Sequence, residues 1–307
     1  MPDSASPANA AADHVAAEIR KLGRAFNPDV LKATTALFTP LQRRAPKDGV
    51  TVEKDIAYGD DPRNRLDVFV PLKKPAAPAP VVMYVHGGGY IGGERSPVPS
   101  LIYDNVPTFF ARNGLIGANM DYRLAPQHKW PSGAADVGKA LAWLKANIAR
   151  FGGDPNRIFL MGQSAGATHV ATWTFVPEVH GSAGPGIAGA MLLSGVYAPQ
   201  HPVYSPGKPA ENSIAYYGDD EGNYAAMSPL NHVKPGHPPV LVGVTEFDPY
   251  PLAWPSAALA AELVKCDKKM PWFVFSRNNN HVSPTMQINS EVDGLGNELL
   301  AFVRNPA

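Results

Sequence analysis

Only one cysteine, Cys266, occurs in the 307 residues, so no disulfide can close within the chain and a cysteine-rich zinc site is excluded. A surplus of either charge is also missing. The 27 Lys and Arg residues balance 27 Asp and Glu, which removes the electrostatic case for a nucleic-acid partner or a charged membrane surface. No apolar run approaches the roughly 18 to 20 residues of a membrane span. The opening segment Met1 to Ala12 has neither the basic head nor the apolar centre of a secretory signal and reads as a frayed end. These absences leave the expectation of a soluble protein, with a cytoplasmic location following from the cysteine count alone.

Proline (32 residues) and glycine (28 residues) are plentiful, and they fall mostly between apolar runs, where they punctuate loops. Apolar residues recur at helical spacing from Asp13 to Gly23 and from Asn27-Pro28 to Leu41, with Asn27 before Pro28 as a helix start. These two helices are expected to lie over the domain as a cap. A hairpin follows, with strands at Val50 to Tyr58 and Leu66 to Val70 around Gly59-Asp60-Asp61-Pro62. Beyond the linker Pro71 to Pro80, strands and helices alternate. Strands are expected at Val81 to Val85, Leu115 to Met120, Ile158 to Met161, Gly189 to Leu193, Val240 to Val244 and Trp272 to Phe275. Helices are expected at Ser100 to Asn113, Ser132 to Arg150, Ala165 to Phe175, Ala253 to Lys265 and Met286 to Val303. Such alternation predicts a mostly parallel, doubly wound α/β sheet that binds ligands at the carboxyl ends of its strands. The chain then divides into an N-terminal tail and cap helices over residues 1–45 and one α/β domain over 46–307, with an excursion at about 197–238.

Two motifs carry chemistry. Gly162-Gln163-Ser164-Ala165-Gly166 matches the Gly-x-Ser-x-Gly nucleophile elbow, and the predicted strand before it and helix after it are the context that motif requires. His86-Gly87-Gly88-Gly89-Tyr90 directly follows another predicted strand. Glycines there let backbone N–H groups approach the oxyanion of a tetrahedral transition state. The same run lacks the spacing of a phosphate loop or a dinucleotide site, so neither cofactor nor metal is expected.

With these motifs in order, the chain resembles the α/β-hydrolases of the hormone-sensitive lipase-like carboxylesterase group. Its HGGG motif is His86 to Gly89, and Tyr122-Arg123-Leu124-Ala125-Pro126-Gln127-His128 and Phe151-Gly152-Gly153-Asp154-Pro155 resemble two further segments of that group. The resemblance implies an α/β-hydrolase fold and a serine esterase, and it runs from about Val81 to the end. A serine hydroxyl needs a base to take its proton and an acid to hold that base, and in this fold they follow in the order Ser, Asp or Glu, His. His281 stands after the last predicted strand and before the last helix, whereas His180, His201, His232 and His237 fall in or beside the excursion. His281 is therefore the expected base. The family's Asp-Pro pattern aligns the acid with Asp248, with Glu246 as the runner-up.

The resemblance further implies an oxyanion hole from the N–H groups of Gly88, Gly89 and Ala165, and a loop-orienting role for His86. Asp121, Tyr122 and Arg123 read as buried hydrogen-bonding structure. Tyr90, Tyr197, Tyr250, Trp254 and Phe38 are candidate walls of an acyl pocket, which suits esters of short to medium chains. Three departures from the family pattern leave subfamily and substrate open: Gln163 in place of Asp, Ala167 in place of Gly, and Pro249-Tyr250-Pro251-Leu252 in place of Pro-Leu-Arg-Asp. A kynurenine formamidase-like amide hydrolase is the neighbouring alternative. A ligand-binding protein of the same fold that lacks catalysis ranks below both, because all three members of the triad are present. A homodimer through the last strand and helix also stays open.

Overall fold

Alternate residues of the central strands belong to opposite layers, and this organises the fold. The computed structural model describes residues 7–199 and 211–306, with side chains from residue 9 onward. Its sheet contains β1 (Val50–Ala57), β2 (Arg65–Pro71), β3 (Ala79–Val85), β4 (Ile116–Met120), β5 (Gly153–Gln163), β6 (Gly189–Leu193), β7 (Val240–Phe247) and β8 (Trp272–Asn280). They lie in the order β1-β2-β4-β3-β5-β6-β7-β8. The pairs β1·β2 and β2·β4 are antiparallel and every later pair is parallel, as the hairpin followed by strand–helix alternation predicts.

Val81, Met83 and Val85 of β3 enter one core with Ile158 and Leu160 of β5, while Val82, Tyr84, Phe159 and Met161 enter the other. Both faces are therefore covered, which explains the continuous apolar runs. The first layer holds α4 (Ser132–Asn147), α5 (Ala165–Phe175) and α8 (Tyr250–Asp267). The second holds α1 (Pro7–Leu22), α2 (Pro28–Arg44), α3 (Asn105–Arg112), α9 (Ser283–Gln287) and α10 (Gly296–Arg304). Two short helices, α6 (Pro177–His180) and α7 (Glu211–Tyr217), complete the α-helices of the described residues.

Asn27 caps α2 by accepting the Val30 N–H at 3.0 Å, and Pro28 occupies the first turn, where its missing donor costs nothing. The N-terminal helices do more than cover the domain. Ile19 and Phe38 are fully buried in the second core, and Gln42 Nε2 donates to the carbonyls of Met286 and Ile288, at 2.8 Å each.

Two expected helices are shorter than their apolar spacing suggests. The segment from Ser100 turns helical only at Asn105, because Ser100 and Tyr103 take left-handed φ values of 63° and 71° and Asp104 accepts the Ser100 N–H at 2.9 Å. The expected helix from Met286 to Val303 is broken into α9 and α10. Asn289 has φ 69°, and the half-buried Asp293 carboxylate accepts the N–H groups of Asn289, Leu295 and Gly296 at 2.7–2.9 Å, competing with helical bonds. Of the excursion, residues 200–210 with His201 lie outside the described residues, as does the start of the N-terminal tail.

Candidate active site

Parallel register sets the carboxyl ends of five neighbouring strands side by side. Val85 lies opposite Gly162, Leu193 opposite Gly243, and Phe247 opposite Asn280. The loops that follow carry Gly88 and Gly89, Ser164, Ser194, Asp248 and His281 along one edge of the sheet, where such folds bind ligands.

Ser164 sits between β5 and α5 with φ 56° and ψ −126°, a conformation rarely taken by a residue with a side chain. Surrounding backbone holds it there. Its N–H donates to Leu193 O at 2.9 Å, and the turn leaves no room beside it. A Cβ on Gly162 would lie 2.5 Å from Ala167 N, and one on Gly166 would lie 2.1 Å from Val85 O. Those obstacles are backbone atoms and cannot rotate away, so the two glycines of the motif are steric requirements.

His281 Nε2 lies 2.9 Å from Ser164 Oγ, and Nδ1 lies 2.7 Å from Asp248 Oδ1. A carboxylate only accepts, so Nδ1–H donates to Asp248 and Nε2 turns its lone pair toward the serine hydroxyl. Asp248 is fully buried. Burial by itself pushes its carboxyl up, but the hydrogen bond and charge of His281 outweigh it, with help from Ser194 Oγ at 2.6 Å and Thr245 N–H at 2.8 Å; the group lies below its ordinary value and is ionised. Glu246 points elsewhere, accepting the Asn278 N–H at 2.8 Å.

The glycine loop is built with equal economy of space. Gly88 has φ 139°, and a Cβ there would meet Gly92 O at 2.0 Å. His86 lies beneath, its Nδ1 2.6 Å from Gly87 O and its ring stacked on Tyr122 at 4.4 Å, while Tyr122 Oη donates to His86 O at 3.0 Å. Asp121 receives Arg95 and faces His86 Nε2 at 3.4 Å, and Arg123 pairs with the buried Asp136 at 2.9 Å. This is the anchoring expected of Asp121, Tyr122 and Arg123. Among the described residues, no internal hydrogen bond takes up the N–H groups of Gly88, Gly89 or Ala165.

The suggested pocket residues part company. Phe38 and Tyr197 are both fully buried, the first in the core under α2, the second against Gly195, whose N–H donates to Tyr197 Oη at 3.1 Å; neither reaches a solvent-facing wall. Tyr90 is buried beside the glycine loop and stacks on Tyr216 at 4.5 Å. Tyr250 is 64% exposed at the start of α8, and Trp254 is half-buried one turn later.

Several residues near the site carry no motif. Ser194 fastens the Asp248 carboxylate, and its only signal is a small polar residue at a strand's carboxyl end. Gln163 Nε2 donates to His281 O at 2.7 Å, tying the elbow to the histidine loop. Phe26, between α1 and α2, sets its ring edge-on to His281 at 4.6 Å, while Arg24 donates to Asp248 O at 3.0 Å. One further histidine, His169, follows Ser164 within α5. Burial, with the nearby His86, pushes it down to about 3, so it is a neutral core group. It packs against Tyr90 and Tyr122 behind the glycine loop.

A mostly parallel sheet with a strained serine at a strand–helix turn and a histidine–carboxylate pair beside it defines the α/β-hydrolase class. A family model described as alpha/beta hydrolase fold matches residues 82–282, and the chain belongs to that family. It is 40% identical over 111 residues to Esterase LipC of Mycobacterium tuberculosis (strain ATCC 25618 / H37Rv), covering 36% of this chain and 27% of that protein. It is 42% identical over 127 residues to isoprenylcysteine alpha-carbonyl methylesterase ICME of Arabidopsis thaliana, covering 41% of this chain and 28% of that protein. The chain thus spans little more than a quarter of the length of these relatives. Esterase B from Lactobacillus rhamnosis (HN001) shares the fold with TM-score 0.71 and 19% identity, over 96% of each chain.

Proposed function

We propose that this protein is a serine carboxylesterase that hydrolyses esters of short to medium acyl chains through an acyl-enzyme. The observation that carries the reading is the continuous relay from Ser164 Oγ through His281 to Asp248, at 2.9 Å and 2.7 Å. In the proposed cycle, Ser164 Oγ attacks the ester carbonyl while its proton passes to His281 Nε2. Asp248 stabilises the imidazolium. The developing oxyanion is met by the N–H groups of Gly88, Gly89 and Ala165, and His281 returns its proton to the leaving alcohol. Water, deprotonated by His281, then attacks the acyl-enzyme, and the acid leaves as Ser164 recovers its proton. No cofactor enters this scheme.

Relatives named as an esterase and a methylesterase support ester over amide cleavage. Phe26, Tyr250 and Trp254 are the residues we assign to the substrate's surroundings, with the N-terminal helices acting as a cap through Phe26. Among the described residues no helix is long and apolar enough to cross a membrane. The single cysteine supports a cytoplasmic location. Among the described residues no strand pairs with the outer edge of β8, and Phe273 and Phe275 are 40% and 51% exposed, which supports a homodimer paired through that strand.

The proposal is tested with Ser164→Ala and a short p-nitrophenyl ester. Turnover is expected to drop by about four orders of magnitude or more with the thermal unfolding midpoint retained. Near-normal turnover in that variant would remove the assignment.

A further inference from the structure

At the opposite end of the sheet from Ser164, His237 precedes β7, and Cys266 and Asp267 close α8. Among the described residues, one ligand atom from each of these three side chains lies within 4.8 Å of the other two. The His237 side chain is 8% exposed. Its Nδ1 is 2.7 Å from Pro238 O, and a carbonyl only accepts, so Nδ1 carries a proton and Nε2 is left as the position that takes either a second proton or a cation. That Nε2 is buried without a hydrogen-bond partner, and it faces Asp267 Oδ2 at 3.3 Å. A nitrogen and a carboxylate oxygen at that distance call for a positive charge between them, supplied by a proton or by a bound cation.

We propose that His237 Nε2, the Cys266 thiolate and the Asp267 carboxylate form a binding site for a divalent cation of the zinc class, with solvent completing the coordination. A mixed nitrogen, sulfur and oxygen set suits zinc, whereas magnesium and calcium favour oxygen throughout. On binding, the Cys266 thiol passes its proton to water. The hydrogen bond from Nδ1–H to Pro238 O is the outer contact that aims a ligating histidine. One residue comes from the return of the excursion and two from the end of α8, so the ion ties those segments together. Strand β7 separates it from Asp248 by roughly 25 Å at about 3.3 Å per residue. The site therefore stabilises the fold and takes no part in ester chemistry.

The competing source of positive charge is a proton, which would make the cluster a plain imidazolium–carboxylate pair. Chelator-treated wild-type protein, His237→Gln and Cys266→Ser are titrated with zinc by calorimetry and with cobalt by absorption. Ester turnover within about twofold of wild type serves as the check that each variant is folded. The expected result is one saturating equivalent of zinc and a midpoint of unfolding that rises with zinc concentration. Affinity should weaken at least about tenfold in each variant. Wild type should also show a thiolate-to-cobalt charge-transfer band that Cys266→Ser lacks. Zinc binding of equal strength in all three proteins, or no saturable binding and no band in wild type, would overturn the proposal in favour of the proton.

Discussion

Asp248 is the residue on which the candidate site's order depends, since it is fully buried and accepts from His281, Ser194 and Thr245 together. Removing one donor should loosen the imidazole without emptying the site. Ser194→Ala is expected to lower kcat/KM for a short ester by about tenfold, the kinetic equivalent of ~1.4 kcal/mol, with KM nearly unchanged. Full activity in that variant would show that Ser194 plays no part in holding the acid. The same carboxylate makes a pH prediction. Its folded pKa lies below the ordinary 3.8, so the unfolded chain binds its proton first as pH falls. Its contribution to stability is complete above about pH 5 and is lost as pH drops through the folded value. The stability gap between wild type and Asp248→Asn, measured by urea unfolding, should shrink between about pH 5 and about pH 3. A constant gap would contradict the assignment.

At the scale of elements, α1 and α2 combine two roles that helices preceding a domain often keep apart. They bury Ile19 and Phe38 in the second core, and the turn between them delivers Arg24 and Phe26 to the acid and the histidine. Gln42 is the clearest test of the first role. Its replacement by Ala leaves Met286 O without a donor, while Ile288 O keeps Asn105 Nδ2 at 2.9 Å. A loss of about 2 kcal/mol is expected from one stranded buried carbonyl, read as a lower urea midpoint. An unchanged midpoint would mean that α2 is not tightly docked on α9. The division between α9 and α10 shows why element boundaries were hard to read. The apolar spacing from Met286 onward is compatible with a single helix, yet Asp293 spends its carboxylate on three backbone N–H groups that a continuous helix would need.

For the whole molecule, the sheet of the described residues ends at β1 on one side and β8 on the other, and these edges differ. β1 at one edge exposes Thr51, Glu53, Lys54 and Asp55 together with Val52, whereas β8 at the other presents Phe273 and Phe275. If two copies pair through β8, light scattering should report twice the 32.8 kDa chain mass, and Phe275→Glu should shift the population to monomer. A monomeric wild type would sink the dimer reading. A formal charge of zero leaves little long-range repulsion to oppose such pairing.

By itself the sequence determined the layering and the line of the chemistry. Alternating strand and helix patterns dictated a mostly parallel sheet, because runs buried on both faces must be covered by crossovers. The motifs placed a serine, a glycine loop, an acid and a histidine after particular strands. Tertiary structure decided what lies against them. Ser194, Gln163, Arg24 and Phe26 meet the Asp248–His281 pair only because separate strands end on one edge and a distant turn folds over it. Phe38 and Tyr197 were drawn inward for a related reason, since an aromatic ring at a strand end or on a helix can serve core or pocket, and the burial available on folding chose the core. The elbow itself joins the two sources. Its glycines are legible as a motif, but the 2.1 Å approach to Val85 O that makes Gly166 necessary exists only once β3 and β5 are paired.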